Sequence, residues 1–154
     1  GSGYLLETVL KRGLCQNVVG VDLSEDMVKV VRKRLSKFLM NEVDDIRVGD
    51  IKSLPFADGQ FSKLCSVNTL YFWKDVSAAL SECRRVLRDD GRLVLCFDSK
   101  ESLLDWPGHK YGFSLYEVEE VERMLLEAGF KILVIKEGFS SGSKKFYCLT
   151  GSVV

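Results

Sequence analysis

The chain has 154 residues, the size of one ordinary domain, and we expect a single domain over residues 1–154. Lys and Arg together number 22, as do Asp and Glu, so the net charge of zero argues against nucleic acid or a membrane surface as a partner. No apolar run approaches the roughly 20 residues of a membrane-spanning helix, and we expect a cytoplasmic protein. The five cysteines are scattered and His109 is the single histidine, so we expect buried free thiols and no metal site.

The first predicted elements alternate between helix and strand. A helical stretch covers residues 5–12, and the apolar run over 18–21, closing on Asp22, is typical of a strand covered on both faces. Ser24 is the predicted N-cap of the next helix. The buried stripe of that helix is predicted to hold Met27, Val28, Val31, Leu35, Phe38 and Leu39. A second strand, IRVGD, closes on Asp50.

The second half of the chain continues this alternation and ends on two strands. FSKLCSVN predicts a third strand that stops at Asn68, and a helix and the DDG turn lead to a fourth strand, RLVLCF. A helix is expected over 114–128, with Ser114 as its cap. The segments FKILVIKEGF and KKFYCLTGSV then read as two strands joined by a Ser-Gly turn.

Alternating strands and helices predict an α/β fold, a doubly wound and mostly parallel sheet with helices on both faces. The final strand pair adds one antiparallel strand near the C-terminus. Ligands of such sheets bind beyond the carboxyl ends of the strands, where this sequence places Asp22, Asp50, Asn68 and Asp98.

Two of these strand-ending residues have more than one interpretation. Asp22 lies 19 residues after Gly3, an interval at which a carboxylate can accept both hydroxyls of an adenosine ribose. Asp22 could equally help Ser24 to cap the next helix, and the spacing alone leaves both roles open. Asp50 could accept the amine of adenine or satisfy nearby loop amides.

The segment after the third strand is polar and then aromatic. Asn68 could hold the polar end of a ligand, and the following TLYFW offers aromatic faces to a planar or cationic group. Three consecutive aromatic residues after a strand usually include a core residue, so we expect Phe72 or Trp73 to be buried.

In this order the residues resemble the class I S-adenosylmethionine-dependent methyltransferases, in particular the small-molecule type related to ubiquinone and menaquinone biosynthesis enzymes. VVGVDLSEDMV is similar to the family's second strand with its acidic ribose-binding residue, and GDIKSLPFADGQFS to its third strand and loop. VNTLYFWKDVSAALSECRRVLRDDGRLVL is similar to its fourth strand, helix and fifth strand. The resemblance runs from Gly1 to about Leu95 and implies a Rossmann-like fold. It places the last two glycines of the cofactor loop at Gly1 and Gly3, so the family's first strand is expected to be missing and the domain to be N-terminally incomplete.

The resemblance implies S-adenosylmethionine as the cofactor and in-line transfer of its methyl group to a small-molecule acceptor. The residues implied to bind the cofactor are Gly1, Gly3, Tyr4, Asp22, Leu23, Met27, Asp50, Ile51 and Asn68. Tyr71, His109 and Tyr111 are implied to line the acceptor site, and no catalytic residue is assigned.

Two other functions are compatible with parts of the sequence. A non-catalytic methyltransferase-like binding or partner module would fit the missing first strand, with self-association or a partner's strand completing the sheet. A nicotinamide-dependent oxidoreductase shares the argument from Asp22 but leaves Asp50 and the LPF loop unexplained.

Overall fold

The computed structural model describes most of the chain and divides it into two compact units, Gly1–Pro55 and Phe56–Val154. The described stretches are residues 1–15, 17–38, 45–105, 112–140 and 142–154. No helix within these stretches combines the length and apolar character needed to cross a membrane.

The first unit pairs two short parallel strands through a helical connection. Its elements are α1 (Tyr4–Lys11), β1 (Val19–Asp22), α2 (Glu25–Leu35) and β2 (Asp45–Val48). Asp22 at the end of β1 lies opposite Val48 at the end of β2. The carboxyl ends of both strands therefore lie at the same edge of this pair.

The core of the first unit is built by one face of α2. Val28, Val31 and Leu35 recur at helical spacing, are buried, and cluster with Ile46 of β2. Side chains of α1 pack against this cluster as well. Val28, Val31 and Leu35 confirm the centre of the predicted stripe. Met27 is only half-buried, Phe38 packs against the cluster from beyond the end of α2, and Leu39 lies outside the described residues.

The second unit contains a four-stranded mixed sheet. Its strands are β3 (Phe61–Val67), β4 (Leu87–Asp98), β5 (Phe130–Phe139) and β6 (Lys145–Val153), in the spatial order β3-β4-β6-β5. Its helices are α3 (Val76–Val86), α4 (Lys100–Leu104) and α5 (Val118–Glu127), with a 3-10 turn over Leu70–Phe72. β3 and β4 run parallel, whereas β6 is antiparallel to both of its neighbours, as predicted for the C-terminal strands.

Burial in the second unit alternates along its central strand. Leu93, Leu95 and Phe97 of β4 are buried, and the residues between them are half-buried. Leu125 of α5 and Leu149 of β6 are fully buried in the same unit. This alternation fixes the register of β4 and so determines which side chain stands at its carboxyl end.

Two predicted strand boundaries were wrong. β4 begins at Leu87 and contains the expected DDG turn as an irregularity, because its pairing with β3 passes from Phe61–Leu87 directly to Lys63–Arg92 and Asp90 has a left-handed backbone (φ 60°). β2 ends at Val48, and Asp50 lies beyond it in a short turn bridged to Ser53. Asp50 therefore follows the strand by two residues instead of ending it.

The predicted cap of the last helix was also wrong. α5 begins after Glu117, whose backbone N–H donates to the carboxylate of Glu120 at 2.8 Å in a capping box. Ser114 instead donates its backbone N–H to the Tyr71 carbonyl at 3.1 Å. The capping box displaces the helix start because it satisfies amide groups that a serine three residues earlier cannot reach.

The expectation of five free thiols was wrong for one pair. Cys96 of β4 lies directly opposite Cys148 of β6, with their Cα atoms 4.1 Å apart, and the two form a disulfide. Cys15, Cys65 and Cys83 are free, but only Cys83 is buried. Burial raises the pKa of the Cys83 thiol to about 12, so that thiol is not a nucleophile near neutral pH.

Candidate functional site

The glycine segment begins the first unit and leads directly into α1. Gly3 is the N-cap of this helix, with a left-handed φ of 76° and no side chain to cap it. A Cβ at Gly3 would lie 2.7 Å from Cγ1 of Val31, so only glycine fits both the backbone and the packing against α2. Tyr4 follows with its side chain 71% exposed.

Asp22 stands between this glycine segment and the start of α2. Its Oδ1 accepts the Ser24 backbone N–H at 2.9 Å, and its Oδ2 lies next to the backbone nitrogen of Gly1. Ser24 caps α2 by accepting the Met27 N–H at 3.3 Å, which confirms its predicted role. The structure therefore brings Gly1 and Asp22 together, and one carboxylate oxygen also supports the local turn.

Apolar side chains flank Asp22 on its C-terminal side. Leu23 is 73% exposed, and Met27 is half-buried in the first turn of α2. An exposed leucine beside a carboxylate can cover the apolar face of a ring whose hydroxyls that carboxylate binds.

Asp50 hydrogen-bonds to amide groups of its own loop, which is one of the two roles predicted for it. Its Oδ1 accepts the Lys52 backbone N–H at 2.9 Å, and its carbonyl accepts the Ser53 N–H at 2.9 Å. Its Oδ2 lies 3.9 Å from the Lys52 ammonium. Ile51 occupies the turn and is half-buried. One oxygen of Asp50 thus remains available to a further donor, although the turn already uses the other.

In the second unit, Asn68 and Tyr71 lie together where β3 and β4 end. Asn68 has a left-handed backbone (φ 54°), and its N–H donates to the Cys96 carbonyl at 2.9 Å. The Tyr71 hydroxyl donates to Asn68 Oδ1 at 3.2 Å and accepts the backbone N–H of Asp98. Burial raises the pKa of Tyr71, so its hydroxyl stays protonated and acts as a fixed hydrogen-bond partner.

A cavity of about 250 Å³ opens beside these residues, within the second unit. Its polar lining is Asn68, Tyr71, Asp98, Ser102 and Lys144, and its apolar lining is Phe72, Leu103, Phe113 and Leu115. The rings of Phe72 and Phe113 meet edge to face at 4.7 Å between centroids. Two predicted acceptor-lining residues, His109 and Tyr111, lie outside the described residues.

The aromatic residues after β3 divide between core and cavity. Trp73 is buried, as one of the two expected core aromatics, whereas Phe72 is 61% exposed and lines the cavity. Tyr71 is also buried, yet it lines the same cavity through its hydroxyl end.

Two residues that line the cavity, Asp98 and Lys144, were not predicted as site residues. Asp98 was predicted only as a strand end. Asp98 is half-buried, burial raises the pKa of its carboxyl, and the Lys144 charge acts in the opposite direction. The strand-end rule was the signal that could have added Asp98 to the site. Lys144 has no such signal, because the pairing of β6 with β4 brings it to the cavity from far along the chain.

A larger depression of about 460 Å³ in the second unit has mostly paired charges. Two of its lining lysines are neutralised, Lys100 by Glu117 at 3.3 Å and Lys145 by Glu137 at 2.8 Å. Exposed pairs of this kind usually reflect a solvated surface. We therefore place the candidate site at the Asp22 region and at the smaller cavity, each within its own unit.

Comparison with known proteins gives the family. A family model described as a methyltransferase domain matches residues 1–95. The demethylmenaquinone methyltransferase of Desulfitobacterium hafniense is 30% identical over 111 residues, which cover 72% of this chain and 43% of that protein. The chain spans between 29% and 55% of the length of the curated relatives that it matches here.

Solved structures share the fold at low sequence identity. Geranyl diphosphate methyltransferase in complex with SAM has a TM-score of 0.82 and 15% identity, covering 100% of this chain and 75% of that one. The [4+2]-cyclase SpnF has a TM-score of 0.84 and 18% identity, covering 99% of this chain and 72% of that one. These structures confirm the Rossmann-like α/β fold, and with the matched methyltransferase domain they lead to one conclusion. The chain belongs to the class I S-adenosylmethionine-dependent methyltransferase family.

Proposed function

We propose that the protein transfers the methyl group of S-adenosylmethionine to a small-molecule acceptor by in-line displacement. The observation that carries the proposal is the position of Asp22, the carboxylate that ends β1, whose Oδ2 lies next to the backbone nitrogen of Gly1 in the glycine segment. A carboxylate in that position suits the paired hydroxyls of a ribose, and the matched family supplies the identity of the cofactor.

The described residues fit an adenosyl group in their chemistry. Asp22 would accept the ribose hydroxyls, with Leu23 and Met27 as apolar neighbours. Gly3 would let the backbone approach the ligand at the start of α1, where Tyr4 is the first helical residue and Gly1 precedes the turn. S-adenosylmethionine, when bound, supplies a methyl group activated on a sulfonium.

The remaining predicted residues have supporting roles in this proposal. Asp50 would accept the adenine amine with the carboxylate oxygen that its own turn leaves available, and the Ile51 N–H would donate to a ring nitrogen. Asn68 stays a predicted cofactor-binding residue, and the Tyr71 hydroxyl orients its side-chain amide within the second unit. His109 and Tyr111 stay as predicted acceptor-lining residues.

The chain's contribution to the reaction would be alignment and exclusion of water. Orienting two reactants in a water-poor site can lower a barrier by about 7–11 kcal/mol when the alignment is complete. The apolar lining of the smaller cavity supports this role for a small, mainly apolar acceptor. The net charge of zero supports a small molecule over nucleic acid.

A non-catalytic binding module is the alternative. The [4+2]-cyclase SpnF shares this fold but is named for a reaction other than methyl transfer, so the fold alone does not establish the activity. Calorimetric titration with S-adenosylmethionine and S-adenosylhomocysteine separates the two proposals. We expect heat of binding with both ligands. The enzyme proposal would be overturned if neither this chain nor a longer form extended before Gly1 bound either ligand.

The organisation and partners of the protein are also proposals. Alignment of nearly the whole chain with single solved chains supports one methyltransferase domain. β3 pairs only with β4 among the described strands, and Val67 on it is 41% exposed, which supports completion of the sheet by a further strand through self-association or a partner. Sedimentation equilibrium tests self-association, and a monomer at every concentration would exclude it. We keep the cytoplasmic location as a prediction, which the three free cysteines support and the Cys96–Cys148 disulfide opposes.

A further inference from the structure

The smaller cavity is lined by a carboxylate, that of Asp98, which is available as a hydrogen-bond acceptor. The Asp98 carboxylate lines the cavity and has no hydrogen bond or ion pair with any other described residue. It is also the one carboxylate among the described lining residues. A half-buried carboxylate without a partner is costly in the folded protein, and a ligand that donates a hydrogen bond would offset that cost.

The two hydroxyl groups of the cavity are already engaged. The Tyr71 hydroxyl donates to Asn68 and accepts from the backbone of Asp98. The Ser102 hydroxyl donates to the Lys145 carbonyl at 3.1 Å and accepts from the Ser99 hydroxyl at 3.0 Å. Neither hydroxyl can therefore donate to a ligand without breaking a bond within the protein.

Asn68 leaves its donor side available. Its Oδ1 accepts the Tyr71 hydroxyl proton, which fixes the orientation of the amide and presents Nδ2 as the donor. No described residue accepts a hydrogen bond from Nδ2. The cavity thus presents Asp98 as a free acceptor and Asn68 as a free uncharged donor, both tied to the same Tyr71 hydroxyl, while Lys144 adds a charged donor.

The charges around the cavity give neither sign of ionic ligand a net advantage. Lys144 lines the cavity opposite in sign to Asp98, and its charge acts on the Asp98 carboxyl. A ligand ammonium would be attracted by Asp98 and repelled by Lys144, and a ligand carboxylate would meet the reverse. A neutral ligand avoids the cost of burying a further charge, and the Phe72 and Phe113 rings give it an apolar surface.

We propose that this cavity binds a small neutral alcohol or phenol, whose hydroxyl donates to the Asp98 carboxylate and accepts one of the two protons of Asn68 Nδ2, which leaves the other proton for the cofactor. A hydroxyl both donates and accepts, and so matches the free Asp98 acceptor and the uncharged Asn68 donor. This assignment rests on the proposed function, because it names the chemical class of the methyl acceptor.

Ligand-observed NMR with four probes of similar size tests the assignment on the purified protein: benzyl alcohol, benzylamine, benzoate and toluene. We expect benzyl alcohol to bind more tightly than the other three. Toluene binding as tightly as benzyl alcohol would show that the hydroxyl is not recognised. Tighter binding of benzylamine or benzoate would show that the cavity selects a charge, and either result would overturn the assignment.

A matched pair of variants identifies the residue that is responsible. Asp98→Asn keeps the side-chain shape and removes the charge, and it should weaken benzyl alcohol binding by about fivefold. Asp90→Asn is the control, since Asp90 is an exposed aspartate on the same strand with a left-handed backbone that asparagine also adopts. Unchanged binding in Asp98→Asn, or equal loss in both variants, would overturn the role of Asp98.

Titration of the same preparations with S-adenosylhomocysteine keeps this inference separate from the proposed function. Normal cofactor binding with failure of the benzyl alcohol arm would overturn only the acceptor class. The expected benzyl alcohol result without cofactor binding would overturn the methyltransferase proposal and leave the cavity as an alcohol-binding site.

Discussion

The hydroxyl of Tyr71 donates a hydrogen bond to Oδ1 of Asn68 at 3.2 Å. The two residues are three positions apart, and the 3-10 turn over Leu70–Phe72 turns the tyrosine back towards the end of β3. Because the same hydroxyl accepts the Asp98 N–H, one buried oxygen joins the ends of two adjacent parallel strands.

Removing that hydroxyl should destabilise the protein. Tyr71→Phe leaves the Asp98 N–H and Asn68 Oδ1 without this partner, and we expect a loss of about 1–2 kcal/mol in the free energy of unfolding. Urea unfolding measures the loss. Tyr4→Phe is the control, since Tyr4 is 71% exposed. Equal stabilities for the two variants would show that the Tyr71 hydroxyl bonds are not structural.

Gly3 should tolerate no side chain, for a reason that a second glycine can separate. Gly3 and Gly13 both have a left-handed φ, at 76° and 59°, but only Gly3 has a neighbour within 4 Å of an added Cβ. Gly3→Ala should therefore cost about 1 kcal/mol or more beyond Gly13→Ala, because the methyl group collides with Val31. Comparable unfolding midpoints for the two variants would contradict this packing.

The Cys96–Cys148 disulfide should contribute strongly to stability. It closes a loop with a sequence separation of 52, for which the chain-entropy model gives about 4 kcal/mol. A reducing agent should lower the unfolding midpoint of the wild type and leave that of the double variant Cys96→Ser/Cys148→Ser unchanged.

Counting thiols checks the same disulfide chemically. In denaturant without reductant, three of the five cysteines should react with a thiol reagent, since Cys15, Cys65 and Cys83 are free. Five reactive thiols would mean that the pair is reduced in solution. That result would restore the expectation of free thiols drawn from the sequence and would favour the cytoplasmic location.

Asp98 should make the stability depend on pH. Its folded carboxyl pKa is raised above 3.8, chiefly by burial, so the native state holds this proton more tightly than the unfolded chain does. Stability from this group is therefore lost as the pH rises from 3.8 through the folded pKa. Asp98→Asn should be more stable than wild type at neutral pH, and the gain should vanish below about pH 3. A gain that stays constant across this range would rule out titration of Asp98 as its cause.

The sequence predicted the parts of the fold that repeat a local pattern. The stripe of Val28, Val31 and Leu35 at helical spacing placed α2 correctly, and the antiparallel C-terminal strands followed from two apolar segments joined by a turn. The pairing of Cys96 with Cys148 could not be predicted, because it depends on the register of strands that are distant in sequence.

Site residues could be predicted from the sequence where they directly follow a strand, and not where distant strand pairing brings them to the site. Asp22 and Asn68 were found because each directly follows an apolar run. The local use of Asp50 was left open, and the structure shows its turn contacts. The approach of Lys144 to Asp98 has no sequence signal, since only the pairing of β6 with β4 brings them together.

The affinity of the protein for S-adenosylhomocysteine, measured by calorimetry on three single variants, tests the central role of Asp22 most directly. Asp26→Ala is the control for a lost carboxylate, because the Asp26 side chain is 93% exposed in the first turn of α2, the helix that follows Asp22. Ser24→Ala is the control for a weakened start of α2, because it removes the cap on Met27. We predict that Asp22→Ala weakens binding by about 2 kcal/mol or more and that both controls stay close to wild type. An unchanged affinity in Asp22→Ala, or an equal loss in Ser24→Ala, would contradict ribose binding by Asp22 and leave it a helix-capping residue.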